Sequence, residues 1–252
     1  MLKQSGSLTN ASLNGNSVIE VVGVDNVNSQ TVADVQAGII NANGSGAFTL
    51  TMDENDGGTF DSGTGSPQTI SGDYSVASTG RVTLSNIVGG GGGGHAPIFY
   101  LVTTNQAFVI DTGSSGTFGT ITPQTGSSFT NASFNGNYLG GSEPPVMASN
   151  GQEVDVLSAN GSGTTSVATD KNSSNACNGG GTGCGGPGSQ SIPGLGYAVS
   201  SNGRVIVTCG ADSGGNCGAS GTQVAIIYMI SDSQVVLLVT QDSNPRLSDF
   251  HQ

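Results

Sequence analysis

The chain carries one pattern twice, and that duplication limits what it can fold into more than any other property. Thr9-Asn10-Ala11-Ser12-Leu13-Asn14-Gly15-Asn16 returns as Thr130-Asn131-Ala132-Ser133-Phe134-Asn135-Gly136-Asn137. Asn43-Gly44-Ser45-Gly46 returns as Asn160-Gly161-Ser162-Gly163, Tyr74-Ser75-Val76 as Tyr197-Ala198-Val199, and Gly80-Arg81-Val82 as Gly203-Arg204-Val205. Each copy then runs into two apolar segments, 98–102 and 107–111 in the first, 225–230 and 234–240 in the second. A repeat this long is a duplicated domain, not a solenoid unit of roughly 20–50 residues. It divides the 252 residues into units 1–125 and 126–252, each large enough for its own core.

The pattern inside each copy is that of strands. Thr, Val and Ile are frequent, helix formers are sparse, and 43 glycines together with Asn and Ser supply turns. In the first copy, alternation predicts strands over 17–24, 32–40, 47–53, 69–77, 81–87, 97–103, 106–111 and 117–121. Phe48, Leu50 and Met52 share one face, and 54–67 reads as a polar loop. The residues before Ser17 read as an extended lead-in that could pair with a neighbouring sheet edge. About eight short strands joined in sequence predict an all-β protein of two tandem antiparallel domains. Each would be a meander closed into a barrel or, alternatively, a two-sheet sandwich.

One pair of strands departs from alternation. The segments 98–102 and 107–110, and their counterparts 224–230 and 235–239, are apolar at successive positions, whereas a barrel wall with one face in water should alternate. The surplus face requires a cover, either the other domain or a second subunit or surface partner. Phe99, Leu101, Val109, Ile227, Met229, Val236 and Leu238 are the candidate interface residues.

Chemistry-bearing motifs are few. Phe108-Val109-Ile110-Asp111-Thr112-Gly113-Ser114-Ser115 resembles the active-site signature of pepsin-type aspartic proteases, which implies Asp111 as one of two catalytic carboxylates. The matching place in the second copy, Leu238-Val239-Thr240-Gln241-Asp242, lacks Asp-Thr-Gly. The same residues also spell a strand-ending Asx turn, the preferred reading. Asp53-Glu54-Asn55-Asp56-Gly57-Gly58 has the composition of a calcium loop without its alternating ligand ladder, so a turn is preferred there too. His95 and His251 have no ligand companions nearby, and no phosphate loop or nucleophile elbow occurs. No catalytic residue, metal or cofactor is therefore assigned.

The four cysteines lie in the second copy. The pairs Cys177/Cys184 and Cys209/Cys217 enclose six and seven residues, wider than the usual zinc spacing. Two local disulfides are expected, with other pairings open, and disulfides imply an oxidising compartment. Asn-x-Ser sequons at Asn10, Asn43, Asn131, Asn160 and Asn172 leave glycosylation possible.

Charged residues make up 9% of the chain and the net charge is −12, which repels nucleic acid and anionic membrane surfaces. No apolar run is long enough to span a membrane, and Met1-Leu2-Lys3-Gln4-Ser5-Gly6 has no apolar signal core. The Gly-x-Tyr-x-Val block, the Gly-Arg turn, the apolar strand pair and Gly119-Thr120-Ile121-Thr122-Pro123-Gln124 resemble a large group of uncharacterised bacterial secreted repeat proteins. That resemblance implies export and β-rich domains, and in strand order each unit is also similar to lipocalin or avidin-like barrels. The expected function is a non-enzymatic extracellular or cell-surface structural or adhesive protein that self-assembles into filaments or a surface layer. The alternative is a barrel that binds a small apolar ligand, lined by Tyr74, Tyr100, Phe108, Tyr197 and Tyr228.

Overall fold

In the computed structural model the chain divides into two compact units, Met1–Thr125 and Gly126–Gln252. The described residues are 3–4, 6–27, 29–60, 67–89, 96–113, 116–126, 128–143, 151–173, 188–213, 217–243 and 245–252.

The first unit contains β1 (Asn14–Val27), β2 (Gln30–Asn43), β3 (Ala47–Asp56), β4 (Thr59–Phe60), β5 (Gln68–Val76), β6 (Arg81–Gly89), β7 (Ile98–Thr103), β8 (Gln106–Ile110) and β9 (Phe118–Pro123). Neighbours run β2-β1-β9-β8-β7-β6-β5-β3, and β2 also pairs with β3, so eight strands close into a ring. The two-residue β4 pairs with the end of β3 inside the stretch expected to be loop. The second unit contains β10 (Asn135–Ser142), β11 (Gly151–Asn160), β12 (Thr164–Ser173), β13 (Gly188–Val199), β14 (Arg204–Thr208), β15 (Gln223–Ser231), β16 (Gln234–Val239) and β17 (Leu247–His251), closed in that order. Both units are antiparallel up-and-down barrels, and the sandwich alternative is set aside. A closed ring offers no strand edge. The lead-in instead serves its own barrel, with Gln4 Nε2 donating to Leu101 O at 2.7 Å and Leu8 joining the core.

The duplicated phrases perform the same work in both barrels. After β2 the chain must reverse sharply: Asn43 Oδ1 accepts from the backbone N–H of Ser45, Gly46 and Ala47, and Gly44 and Gly46 take positive φ. Asn160 does the same for Ser162 and Thr164. The phrase before the first strand forms a one-turn 3-10 helix, Asn10–Ser12 or Asn131–Ser133, that plugs one barrel end. Tyr74 on β5 donates its hydroxyl to Leu13 O at 2.6 Å, and Asn10 Oδ1 accepts from Val76 N–H at 2.8 Å. In the second barrel Tyr197 donates to Phe134 O at 2.8 Å and Asn131 Oδ1 accepts from Val199 N–H at 2.9 Å. These bonds satisfy backbone groups that the plug would otherwise bury unpaired.

Side chains fill both interiors. The first holds Ile19, Val21, Ile40, Phe48, Leu50, Tyr74, Val82, Phe99, Leu101, Val109 and Ile121 among others, with Met52 against it. The second holds Phe129, Phe134, Tyr138, Leu157, Tyr197, Ile227, Met229, Val235 and Phe250, with Phe134 and Tyr197 meeting edge to face at 5.1 Å. Among the described residues no helix is long and apolar enough to cross a membrane.

Candidate functional site

Register decides which apolar residues reach the outside, because successive side chains on a strand point to opposite faces. Phe99 lies opposite Val82 and Val109, all three in the interior. The residues between them therefore face outward. Tyr100 lies opposite both Arg81 and Phe108, and Ile110 lies opposite both Ile98 and Phe118. Tyr100, Phe108, Ile110 and Phe118 are 47%, 44%, 52% and 60% exposed, forming two adjoining rows across β7, β8 and β9. Isolated exposed apolar residues are ordinary, whereas these aromatic and aliphatic side chains adjoin one another on one wall.

This corrects the candidate interface by one residue along each strand of the first barrel. Phe99, Leu101 and Val109 are core, and so are Ile227 and Met229 in the second barrel. Alternating apolar positions that are all large conceal which set faces in. Val236 and Leu238 do lie on the outer face of β16, opposite Tyr228 and Ile226, but all four are withdrawn from solvent. On the second barrel the exposed apolar residues are elsewhere. Leu139 on β10 and Val154 on β11 are 61% and 68% exposed, with half-buried Val156 opposite Leu139.

The five aromatic residues expected to line a ligand cavity are not brought together. Tyr74 and Tyr197 face separate interiors with their hydroxyls bonded to the plugs, while Tyr100, Phe108 and Tyr228 are on outer walls.

A second feature, which sequence reading missed, occupies the interior of the first barrel at the end opposite the plug. Alternation carries Asp25 on β1, Asp34 and Gln36 on β2, Glu54 and Asp56 on β3 and Gln68 on β5 inward at that end. Gln36 Nε2 bridges two carboxylates, donating to Glu54 Oε1 at 2.9 Å and to Asp34 Oδ2 at 3.1 Å. Burial, reinforced by Glu54, pushes Asp34 up to about 8, against relief from its Gln36 hydrogen bond. Burial and then Asp56 raise Glu54; burial and then Asp25 raise Asp56. Asp34 therefore holds its proton at neutral pH. The corresponding end of the second barrel is charge-compensated: Glu153 pairs with Lys171 at 3.1 Å and Arg246 at 2.8 Å, and Arg246 also pairs with Asp242 at 3.0 Å. Asp155 there is raised chiefly by burial, with a Thr169 hydrogen bond and both cations opposing. The missed signal was the alternation of acids in Asp53-Glu54-Asn55-Asp56, which belongs to a strand and sends neighbours to opposite faces rather than around one ion. Among the described residues no group of three or more His, Cys, Asp or Glu is arranged to hold a metal.

Asp111 and its neighbours form a turn. Asp111 Oδ2 accepts from Gly113 N–H at 3.0 Å, Thr112 Oγ1 donates to Ala96 O at 2.8 Å, and Asp111 N–H donates to Thr117 O at 3.1 Å. Cys209 and Cys217 form a disulfide between β14 and β15, with Cα atoms 5.7 Å apart. Cys177, Cys184, His95, Ser114 and Ser115 lie outside the described residues.

No family model, curated protein or solved structure matches the chain.

Proposed function

We propose that this is a non-enzymatic structural or adhesive protein of the extracellular space or cell surface, and that it self-associates through the outer wall of its first barrel. The observation that carries the reading is the contiguous exposed face of Tyr100, Phe108, Ile110 and Phe118. Burying one such side chain is worth about 1.5–3 kcal/mol, and a rigid barrel wall presents them with little loss of backbone entropy on binding. The disulfide fits an oxidising compartment. The uncharged Gly, Ser, Thr and Asn surface and the resemblance to secreted repeat proteins point the same way. A catalytic role for Asp111 is disfavoured because its carboxylate caps a turn.

Sedimentation velocity over a concentration series tests the proposal. The native chain should grow in size with concentration, and F108S with I110S should abolish the growth while leaving the circular dichroism spectrum unchanged. A native chain that stays monomeric at every concentration, with no particles by electron microscopy, would overturn it.

A further inference from the structure

We propose that association runs head to tail, with the β7–β9 face of one copy seated on the Leu139–Val154–Val156 face of the second barrel of the next copy. This rests on the reading that the chain self-associates, and it specifies the partner surface.

Two observations carry it. The first is that the exposed apolar side chains fall into unlike sets on the two barrel walls. One is the broad aromatic face of the first barrel, which also exposes Ile87 and Val88 on β6; the other is the smaller aliphatic face around Leu139 and Val154. A two-fold pairing of the aromatic face with itself would leave the aliphatic face in water. A head-to-tail contact covers both.

The second observation is charge. The chain has five Lys and Arg against 17 Asp and Glu. Lys171 and Arg246 are paired within the second barrel, Arg204 is buried, and Lys3 is exposed in the lead-in. Arg81 stands beside Tyr100 at the margin of the aromatic face. Its guanidinium donates to Thr83 Oγ1 at 2.6 Å on its own strand, and no carboxylate among the described residues forms an ion pair with it. The aliphatic face has the opposite margin: exposed Asp170 lies opposite Val154 on β12, and Asp249, which contacts His251 at 3.1 Å, lies opposite Gly141 on β17. In a two-fold pairing the carboxylate at the far end of the Arg81–Tyr100–Phe108 row is the half-buried Glu20, which accepts from Thr120 Oγ1 at 2.6 Å. An aromatic face with a basic margin thus meets an aliphatic face with an acidic one. Contacts between unlike faces leave one face of each kind unfilled at the ends unless they pair reciprocally, so they extend as a chain of subunits or close as a ring or a reciprocal dimer.

Mixing separates the outcomes. One variant carries F108S and I110S and keeps only the aliphatic face; the other carries L139S and V154S and keeps only the aromatic face. Each alone should be monomeric, and an equimolar mixture should give a heterodimer and nothing larger. If the L139S/V154S variant still dimerises by itself, the contact is two-fold and the head-to-tail inference fails while self-association stands. If the native chain is itself monomeric, self-association fails and this inference with it. Charge substitutions guard against misfolding of the serine variants. R81E and D170K should each weaken association up to about fivefold, as expected for an exposed ion pair, and the chain carrying both should recover most of it. Absence of that recovery, with unchanged association in both single variants, overturns the facing of the two margins.

Discussion

Single side chains settle how each barrel is closed. Tyr74 and Tyr197 are the only polar groups that tie the plugs' carbonyls at Leu13 and Phe134 to the fourth strand of each ring among the bonds described above. Replacing either by Phe should cost about 1–2 kcal/mol, since the carbonyl left behind is buried without that donor, and denaturant melts of Y74F and Y197F would measure it. The repeat made these tyrosines visible, but their partners lie 61 and 63 positions upstream, beyond anything local pattern can connect. The sequons at Asn43 and Asn160 have a comparable explanation, because their amide oxygens organise turns. Asp34 makes a pH prediction. Its pKa rises from the ordinary 3.8 to about 8 on folding, so the folded state binds the proton more tightly than the unfolded chain. The stability this contributes is fully present below about pH 4 and is lost as pH rises through about 8. Calorimetry of D34N should therefore show a flatter pH profile and, at pH 8.5, a higher Tm than the native chain.

At the level of strands and hairpins the sequence was informative about place and less so about face. Eight strands of the first copy stand where alternation put them, with ends extended by a few residues in β1, β2 and β3. β7 and β8 are apolar at both sets of positions, and nothing local says whether Phe99 or Tyr100 turns inward. Pairing with Val82 and the contents of the core decide it. Asp25, Asp34, Glu54 and Asp56 were illegible as a group because they come from three strands. The Cys209–Cys217 link is an element-scale device that ties the end of β14 to the loop before β15. In the chain-entropy picture closing so short a loop is worth about 2.5 kcal/mol, so C209S with C217S should lower the second barrel's stability by about that much. Thermal melts of the double variant beside the native chain, each without reductant, would measure it.

For the whole molecule, composition and duplication bear on fold more than on function. A net charge of −12 with few ionic residues argues against nucleic acid, and the β composition and duplication lead to two barrels. Which side chains are exposed, by contrast, is revealed only by closure of the ring. Closure has a further effect. Because each ring has eight strands, an even number, the last strand finishes at the end where the first began: Ser17 lies opposite Pro123, and Leu139 opposite His251. Each unit is entered and left beside its plug, so another copy can be spliced in at that point without breaking a ladder or threading the opposite opening. Such a unit is easy for a gene to multiply, and an insertion between residues 125 and 126 is the place to lengthen the protein by design.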